Sequence, residues 1–298
     1  MTHGLPDPEV INLMEDVEKR IWISCFRKRL CYVNKRKIYT EKEDFNLRNI
    51  SLEAGICNFF EDIDSSIWIS KTDTELYRFK NKNVVSVNLP SSIVQVQRID
   101  SALLALGSGY IFEIKESGGN VELFDMVREF GQIPTYSGVS VSKNKVLFSF
   151  FNGLLLLEYK NKSISLISNI PKPIGRVFTD RQGRFWVCSP AIGAICFDNN
   201  KQDLSNPKLY LAGKKTIYMF EDHQGTFWFC TMDDGIYALP QETPVNYSIA
   251  DGFPSNNIMS VSRDYLGNIL CGDDEGNLNV IGPKNIEQIR YNSIDGYN

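Results

Sequence analysis

Few residues of this 298-residue sequence could carry catalytic chemistry. Only two histidines are present, His3 and His223, which disfavours histidine-rich zinc sites, haem ligation and catalytic triads with a histidine base. The seven cysteines include no C-x-x-C pair, so zinc and thiol-redox motifs have no support. We therefore predict no catalytic residue, no metal site and no cofactor.

Short clusters of charged residues carry the remaining candidate chemistry, which is the binding of a polar ligand. Arginine and lysine side chains could donate to such a ligand, aspartates could accept from it, and aromatic rings could stack on a sugar. The predicted ligand-binding residues are Arg27, Lys28, Asp73, Tyr110, Phe151, Asn152, Asp233, Asp234, Asp273 and Asp274. Solvated loop charge, or pairing between exposed groups that contributes little stability, would explain the same clusters without a ligand.

The charge balance excludes one class of partner. Lys and Arg number 32 against 36 Asp and Glu, a formal net charge of −4, which disfavours a protein that binds a phosphate backbone. The most apolar stretch, residues 146–159, is too short to cross about 30 Å of hydrocarbon, and residues 1–7 do not read as a signal peptide. We expect no nucleic-acid binding and no direct membrane insertion by this chain.

The tryptophans reveal an internal repeat that must position these clusters. Each of the four has an aspartate six residues earlier, and a fifth copy of the pattern carries leucine in place of tryptophan. The pairs are Asp16 and Trp22, Asp62 and Trp68, Asp180 and Trp186, Asp222 and Trp228, and Asp264 and Leu270. In each copy an apolar run, a polar turn and a second apolar run follow one another, as in a β-hairpin, and aspartate and glycine suit that turn.

Two degenerate units complete the series. With Leu104 and Leu147 as the tryptophan equivalents, the anchor positions are 22, 68, 104, 147, 186, 228 and 270, about 42 residues apart. Each unit holds four short apolar runs, and repeats of that kind and period are typical of a β-propeller. The sequence therefore predicts an all-β, seven-bladed propeller with four antiparallel strands per blade.

We expect one domain over residues 1–298, with blades near 4–48, 49–90, 91–132, 133–170, 171–211, 212–253 and 254–298. Large side chains at the anchor belong between neighbouring blades, so Trp22, Trp68, Trp186, Trp228 and Leu270 are predicted to be structural. The sequence starts with a first strand and ends with a fourth, so either ring closure depends on side-chain packing between the first and last blades, or the seven units belong to a longer array.

The cysteines fit a buried structural role. Four of the seven follow an anchor by one to three residues on the second strand. Cys25 with Cys31, and Cys188 with Cys196, are each centred six residues after a tryptophan and could face one another across a hairpin. Disulfides between directly opposed strand residues are strained, so free thiols are the preferred interpretation.

The units resemble the two-component regulator propeller repeat. That pattern runs from an apolar strand through Asp-x-x-Gly to an aliphatic-Trp strand and then Gly-Leu-Tyr, and residues 217–231 followed by Gly235-Ile236-Tyr237 match it best. The segment Asp251-Gly252-Phe253-Pro254-Ser255-Asn256 is similar to that family's Asp-Gly-Leu-Pro-Ser-Asn linker. The resemblance is specific in five units and weak in two.

The resemblance implies a non-enzymatic, periplasmic input domain of a histidine kinase or hybrid two-component system from Bacteroidetes-type bacteria. The kinase module would lie downstream in the parent protein, the domain could form a homodimer, and its ligand could be an oligosaccharide or another small polar molecule. One alternative is a protein-interaction scaffold. A second is a lyase of the streptogramin-lyase type, which would need a histidine base, whereas His223 is expected in a turn on the opposite face from the ligand loops.

Overall fold

The computed structural model is an all-β protein that contains seven antiparallel sheets of four strands each. It describes residues 5–6, 9–26, 30–50, 58–71, 74–115, 120–125, 135–150, 153–169, 173–197, 207–240, 245–282 and 285–289. Within those ranges, the helical segments are two short 3₁₀ helices, Phe45–Asn49 and Ile249–Asp251. The same ranges contain no helix long and apolar enough to span a lipid bilayer.

Each blade takes four consecutive strands in chain order. Blades 1 and 2 comprise β1 (Val10–Glu15), β2 (Ile21–Cys25), β3 (Leu30–Asn34), β4 (Lys37–Tyr39), β5 (Asn58–Glu61), β6 (Ile67–Ser70), β7 (Glu75–Lys80) and β8 (Asn83–Asn88). Blades 3 and 4 comprise β9 (Ile93–Ile99), β10 (Ala102–Gly107), β11 (Tyr110–Ile114), β12 (Asn120–Asp125), β13 (Thr135–Ser142), β14 (Lys145–Phe150), β15 (Gly153–Glu158) and β16 (Ser163–Asn169).

Blades 5 and 6 comprise β17 (Val177–Thr179), β18 (Phe185–Ser189), β19 (Gly193–Phe197), β20 (Lys208–Tyr210), β21 (Thr216–Glu221), β22 (Phe227–Thr231), β23 (Ile236–Leu239) and β24 (Val245–Tyr247). Blade 7 comprises β25 (Ile258–Arg263), β26 (Ile269–Asp273), β27 (Leu278–Ile281) and β28 (Ile286–Ile289). The first strands of neighbouring blades pack side by side around an axis, except that β21 of blade 6 packs against β18 of blade 5, and β1 packs against β25. The ring of seven blades is therefore closed, and the predicted fold is confirmed.

One apolar cluster fills each of the seven spaces between neighbouring blades. Every anchor residue packs forward onto the next blade: Trp22 contacts Phe79 of blade 2 at a ring-centroid distance of 5.2 Å, and Trp186 contacts Phe229 of blade 6 at 5.7 Å. The second strands β2, β18 and β26 are buried along their whole length. A sheet covered on both faces explains why these strands are apolar over most of their length, without alternation.

The closing interface joins blades 7 and 1 through side chains. Leu270 and Leu278 share an apolar cluster with Val10, Leu13 and Ile23 of blade 1. The two blades approach closely, because a Cβ atom added at Gly272 would lie 2.2 Å from Val10 Cγ1. No sheet in the described ranges mixes strands from the two ends of the chain.

The aspartate six residues before each tryptophan does more than form the turn. In all four copies the indole Nε1 donates to the aspartate Oδ2, at 2.6 Å for Trp22–Asp16, 3.4 Å for Trp68–Asp62, 2.8 Å for Trp186–Asp180 and 2.9 Å for Trp228–Asp222. The other carboxylate oxygen accepts backbone N–H groups of the turn, as in blade 6, where Asp222 Oδ1 accepts from Gln224 and Thr226 at 2.9 Å each. One buried carboxylate therefore satisfies both the turn and the indole.

The fourth position of each of these turns has left-handed backbone geometry. Glycine occupies it at Gly183, Gly225 and Gly267, with φ of 76°, 84° and 88°, but blades 1 and 2 place Lys19 and Ser65 there at 65° and 60°. Residues that carry a Cβ atom are sterically disfavoured in this region, whereas glycine is not. These two turns are therefore less favourable than their glycine counterparts.

The six cysteines in the described ranges are buried free thiols, and Cys57 lies outside those ranges. The strand register places Cys31 opposite Ile23 and Cys196 opposite Trp186. Neither cysteine pair is therefore directly opposed across its hairpin, although the Cys25 and Cys31 thiols hydrogen-bond to each other. Burial raises the pKa of the Cys188 and Cys271 thiols well above the ordinary value, as expected for inert core cysteines.

Candidate functional site

One side chain from the innermost region of each blade forms a ring around the axis, which we call the polar ring. Its members are Asn12, Asn58, Gln95, Ser137, Arg176, Tyr218 and Ser260. Each lies ten residues before its anchor, except in blade 3, where the offset is nine. Each pairs with the residue two positions after the anchor, as Asn12 does with Ser24 and Ser260 with Gly272, so the seven are structurally equivalent.

The polar ring surrounds a cavity of about 230 Å³ on the propeller axis. Six of its members line this cavity, together with apolar side chains such as Leu13, Met14, Val139 and Phe178. Ser260 is buried instead, beside Gly272. Because the ring pairs with the ends of the second strands, it lies toward the face that carries the hairpin loops between second and third strands.

Asn58 connects four blades within the ring. Its Nδ2 donates to the Val94 carbonyl oxygen of blade 3 at 2.7 Å. Its Oδ1 accepts from Asn12 Nδ2 of blade 1 at 2.5 Å and from Arg176 Nη2 of blade 5 at 3.2 Å. Gln95 joins blades 3 and 4 in a similar way, because its amide both donates to and accepts from the Gly138 backbone, at 2.8 and 2.9 Å. These contacts fix the amide groups in defined orientations.

Arg176 is the one charged side chain among the described residues that line the cavity. It lies immediately before β17, and its guanidinium carbon is 4.9 Å from the ring centroid of Tyr218. Phe178 packs edge-on against the same tyrosine, with centroids 5.1 Å apart and an interplanar angle of 69°. Burial raises the pKa of Tyr218, a shift that the nearby guanidinium partly opposes. The tyrosine therefore stays neutral at neutral pH, and the cavity keeps the positive charge of Arg176.

Half of the ligand-binding residues predicted from sequence can be placed. Arg27, Lys28, Asp73, Phe151 and Asn152 lie outside the described residues. Tyr110 begins β11, is half-buried, and stacks on Phe112 at a centroid distance of 6.0 Å. Its ring thus packs partly against the apolar cluster between blades 2 and 3.

The four aspartates lie on the loop face as expected, but each has a partner within the chain. Asp233 forms an exposed ion pair with Lys215 at 2.8 Å, and Asp234 pairs with Lys214 at 2.5 Å. The hydrogen bond from Lys214, joined by one from Tyr237, lowers the pKa of Asp234. Binding of a small polar ligand by these two aspartates stays a prediction, and a ligand would have to compete with the lysines.

The two aspartates of blade 7 hold the backbone. Asp273 is fully buried and accepts the backbone N–H of Asn277 at 2.8 Å and the side-chain amide of Asn279 at 3.2 Å. Burial raises its pKa even though these hydrogen bonds favour the carboxylate. Asp274 accepts from Ser255 Oγ at 2.8 Å and from Asn257 Nδ2 at 2.7 Å, which fastens the linker between blades 6 and 7.

His223 lies in the turn between β21 and β22. Its backbone oxygen accepts from Arg181 Nη1 at 3.0 Å, and its ring lies against Gly267 of the corresponding turn in blade 7. This turn is on the opposite face from the polar ring. Within the described ranges, no group of three or more His, Cys, Asp or Glu side chains is arranged to hold a metal ion.

The polar ring was not predicted from the sequence, although a signal was present. Counting back ten residues from each anchor, or nine in blade 3, reaches a polar residue every time. The signal is weak because the seven positions hold five residue types and because the offset from the anchor is nine residues in blade 3 instead of ten. Equivalence becomes evident only when each first strand is aligned on its own anchor.

Comparison with known proteins supports the fold from a second direction. No protein-family model and no curated protein matches the sequence. Solved structures do match: the extracellular domain of the hybrid two-component system BT3049 from B. thetaiotaomicron is 15% identical, with a TM-score of 0.76 over 95% of this chain and 41% of that one. The chain thus spans less than half the length of that domain.

Propellers of other functions are similar to almost the same degree. Virginiamycin B lyase from Staphylococcus aureus is 11% identical with a TM-score of 0.71, covering 93% of this chain and 95% of the lyase. The WD40 propeller domain of Doa1 is 14% identical with a TM-score of 0.70, covering 95% of this chain and 96% of that domain. At these identities the likeness establishes the seven-bladed fold, and the residues of the site must decide the function.

Proposed function

We propose that this chain is a non-enzymatic, extracytoplasmic ligand-sensing propeller of a two-component signalling system. The observation that carries the proposal is the polar ring: fixed amide groups and one arginine surround a cavity that opens among apolar side chains. A concave site with a few oriented polar groups is the usual form of a small-molecule pocket. The two-component propeller repeat pattern and the likeness to the BT3049 extracellular domain support a signalling role.

The composition of the cavity wall favours binding over catalysis. General acid–base chemistry uses a titratable group near neutral pH within reach of the substrate, and the described cavity wall offers arginine, neutral amides, serine and a tyrosine. Arginine stays protonated, and the pKa of Tyr218 is raised. The histidine that a lyase mechanism would use, His223, lies on the other face.

The test begins with the purified chain. Thermal-shift screening against mono- and oligosaccharides and small organic anions should find a ligand, because a ligand at 100 times its Kd stabilises the folded state by about 2.7 kcal/mol. The same ligand should then change the autophosphorylation of the parent receptor kinase. Product formation from that ligand by the chain would refute the non-enzymatic role.

The interaction-scaffold alternative predicts a different pattern. A stable protein partner that purifies with the chain, together with no stabilisation by any small molecule in the screen, would favour the scaffold. A homodimer that forms only with ligand would instead fit the sensor, since assembly is one route by which such a domain can bias a kinase.

A further inference from the structure

We propose that the polar ring binds a small monoanionic carboxylate, with Arg176 as the group that contacts the carboxylate. The inference deepens the proposed function by naming the ligand class, and its signalling role rests on that function. Binding of the carboxylate does not depend on the proposed function, because binding to the isolated chain can be measured on its own. Three properties of the cavity favour this ligand class: its charge, its preorganisation and its size.

The first property of the cavity is its charge. Arg176 is half-buried in a cavity whose other described lining residues are uncharged. Its described contacts are the amide of Asn58 and the ring and hydroxyl of Tyr218, and none of them neutralises the guanidinium. Partly buried charges are usually paired, because removing a charge from water is costly. A single negative charge on a ligand would complete the site, whereas a phosphate dianion would leave one charge uncompensated.

The second property of the cavity is the preorganisation of its polar groups. Asn58 holds one N–H of the guanidinium and is itself held by Asn12 and by the Val94 carbonyl, so three blades fix the amide that orients the arginine. The guanidinium has five N–H donors in a planar fork, and a two-point contact with a carboxylate needs only two of them. Planar carboxylates match that fork, and the ring of Tyr218 beside it limits the arginine's freedom.

The third property of the cavity is its size, together with the residues that line it. Pockets for drug-sized ligands occupy about 300–1,000 Å³, and this cavity is smaller, at about 230 Å³. Its wall mixes hydroxyl and amide groups, at Ser137, Gln97 and Tyr218, with the apolar side chains of Leu13 and Val139. That mixture suits a body of about monosaccharide size that bears hydroxyl groups as well as a carboxylate. Both a uronic acid and a hydroxy acid meet this description.

The experiment is isothermal titration of the chain with glucuronate, glucose, lactate and inorganic phosphate. Glucuronate and glucose share a ring and differ in the carboxylate, so we expect glucuronate to bind and glucose to bind at least tenfold more weakly. Lactate binding as tightly as glucuronate would assign the site to hydroxy acids, and weaker lactate binding to uronic acids; either result supports the carboxylate class. Phosphate binding more tightly than both acids would overturn it.

Variants locate the site. Arg176→Gln removes the charge and should weaken binding of the preferred acid at least about tenfold, as hydrogen bonds to charged groups imply. Arg181→Gln makes the same change at an exposed arginine of the opposite face and should leave binding unchanged. If Arg176→Gln does not fold, Tyr218→Phe keeps the ring while removing the hydroxyl, and a threefold or greater loss is expected. Unchanged affinity in the folded variants would refute the site.

Failure of the binding site and failure of the proposed function give different results. A ligand that binds the chain through Arg176 but leaves the kinase output of the parent receptor unchanged would refute the sensor role and leave the carboxylate site standing. A ligand that alters kinase output and still binds Arg176→Gln with full affinity would refute the carboxylate site and leave the sensor role standing.

Discussion

The hydrogen bond between each tryptophan and its aspartate should make a measurable contribution that differs between blades. In blade 6, Asp222 and Trp228 are 5% and 7% exposed, and the indole donates to the carboxylate at 2.9 Å. In blade 2, Asp62 and Trp68 are buried to a similar degree, at 7% and 6%, but the corresponding distance is 3.4 Å. The carboxylate of Asp62 instead takes two hydrogen bonds from Arg98, at 2.5 and 2.6 Å.

The perturbation is a double-mutant cycle in each blade, with aspartate to alanine and tryptophan to phenylalanine. Such a cycle cancels the lost turn hydrogen bonds and the smaller ring, and leaves the energy of the pair. Hydrogen bonds to charged groups contribute about 1.5–3 kcal/mol, so we expect a coupling of about 2 kcal/mol for Asp222 with Trp228. The longer, shared contact in blade 2 should couple by less than about 1 kcal/mol.

The assay is urea unfolding followed by far-UV circular dichroism, with the free energy of unfolding obtained by linear extrapolation. Coincidence with a second probe, near-UV circular dichroism, checks that each variant unfolds in one transition. Equal couplings in the two blades, or a coupling below about 0.5 kcal/mol in blade 6, would refute the conclusion that the indole bond stabilises the interface.

Three further predictions concern turns, closure and pH. Ser65→Gly should raise the free energy of unfolding by about 0.5–1 kcal/mol, because φ is 60° there; a loss in urea unfolding would contradict this. Gly272→Ala should cost at least about 1 kcal/mol by overpacking the closing interface, while Gly282→Ala, where the added Cβ meets nothing nearer than 3.5 Å, should change little; equal midpoints would refute the close approach. Burial alone would raise the pKa of Asp62, but its hydrogen bonds from Arg98 lower that pKa below the ordinary value for aspartate. The pair therefore adds stability above the ordinary pKa, and this stability is lost as the pH falls through the lowered folded-state pKa. Arg98→Met should flatten this acid loss in pH-dependent melting, and an unchanged slope would disprove the link.

The sequence was sufficient for the architecture because inter-blade packing repeats with the chain. Every blade needs one large apolar side chain at the same register, and four of the seven are tryptophan, so the spacing of Trp22, Trp68, Trp186 and Trp228 indicated both the blade number and the hairpin that carries each anchor. The aspartate six residues earlier was correctly assigned to a turn. Its bond to the indole could not be predicted, because spacing along a strand does not give the distance between side chains.

The binding residues were harder to predict, for a physical reason that the acidic loops illustrate. Asp273 and Asp274 follow one another in an exposed-looking loop sequence, yet one is buried against Asn277 and the other holds Ser255 of the preceding linker. The partners of Asp273 lie four and six residues later in the same hairpin, and those of Asp274 lie in the linker before the blade, so which aspartate is buried depends on how these segments fold onto each other. The polar ring depends on longer-range packing, because Asn58 and Arg176 are 118 residues apart in sequence.

The forward packing of the anchors divides the ring into two arcs. Tryptophan anchors join blades 1, 2 and 3 into one arc and blades 5, 6 and 7 into another, whereas the interfaces on either side of blade 4 and the closing interface depend on Leu104, Leu147 and Leu270. Those three interfaces lack the indole–carboxylate hydrogen bond and should separate first when the ring is strained. The hydrogen bond between Asn58 and Arg176 spans the axis from one arc to the other. A molecule that binds between those two side chains would therefore change the distance between the two arcs.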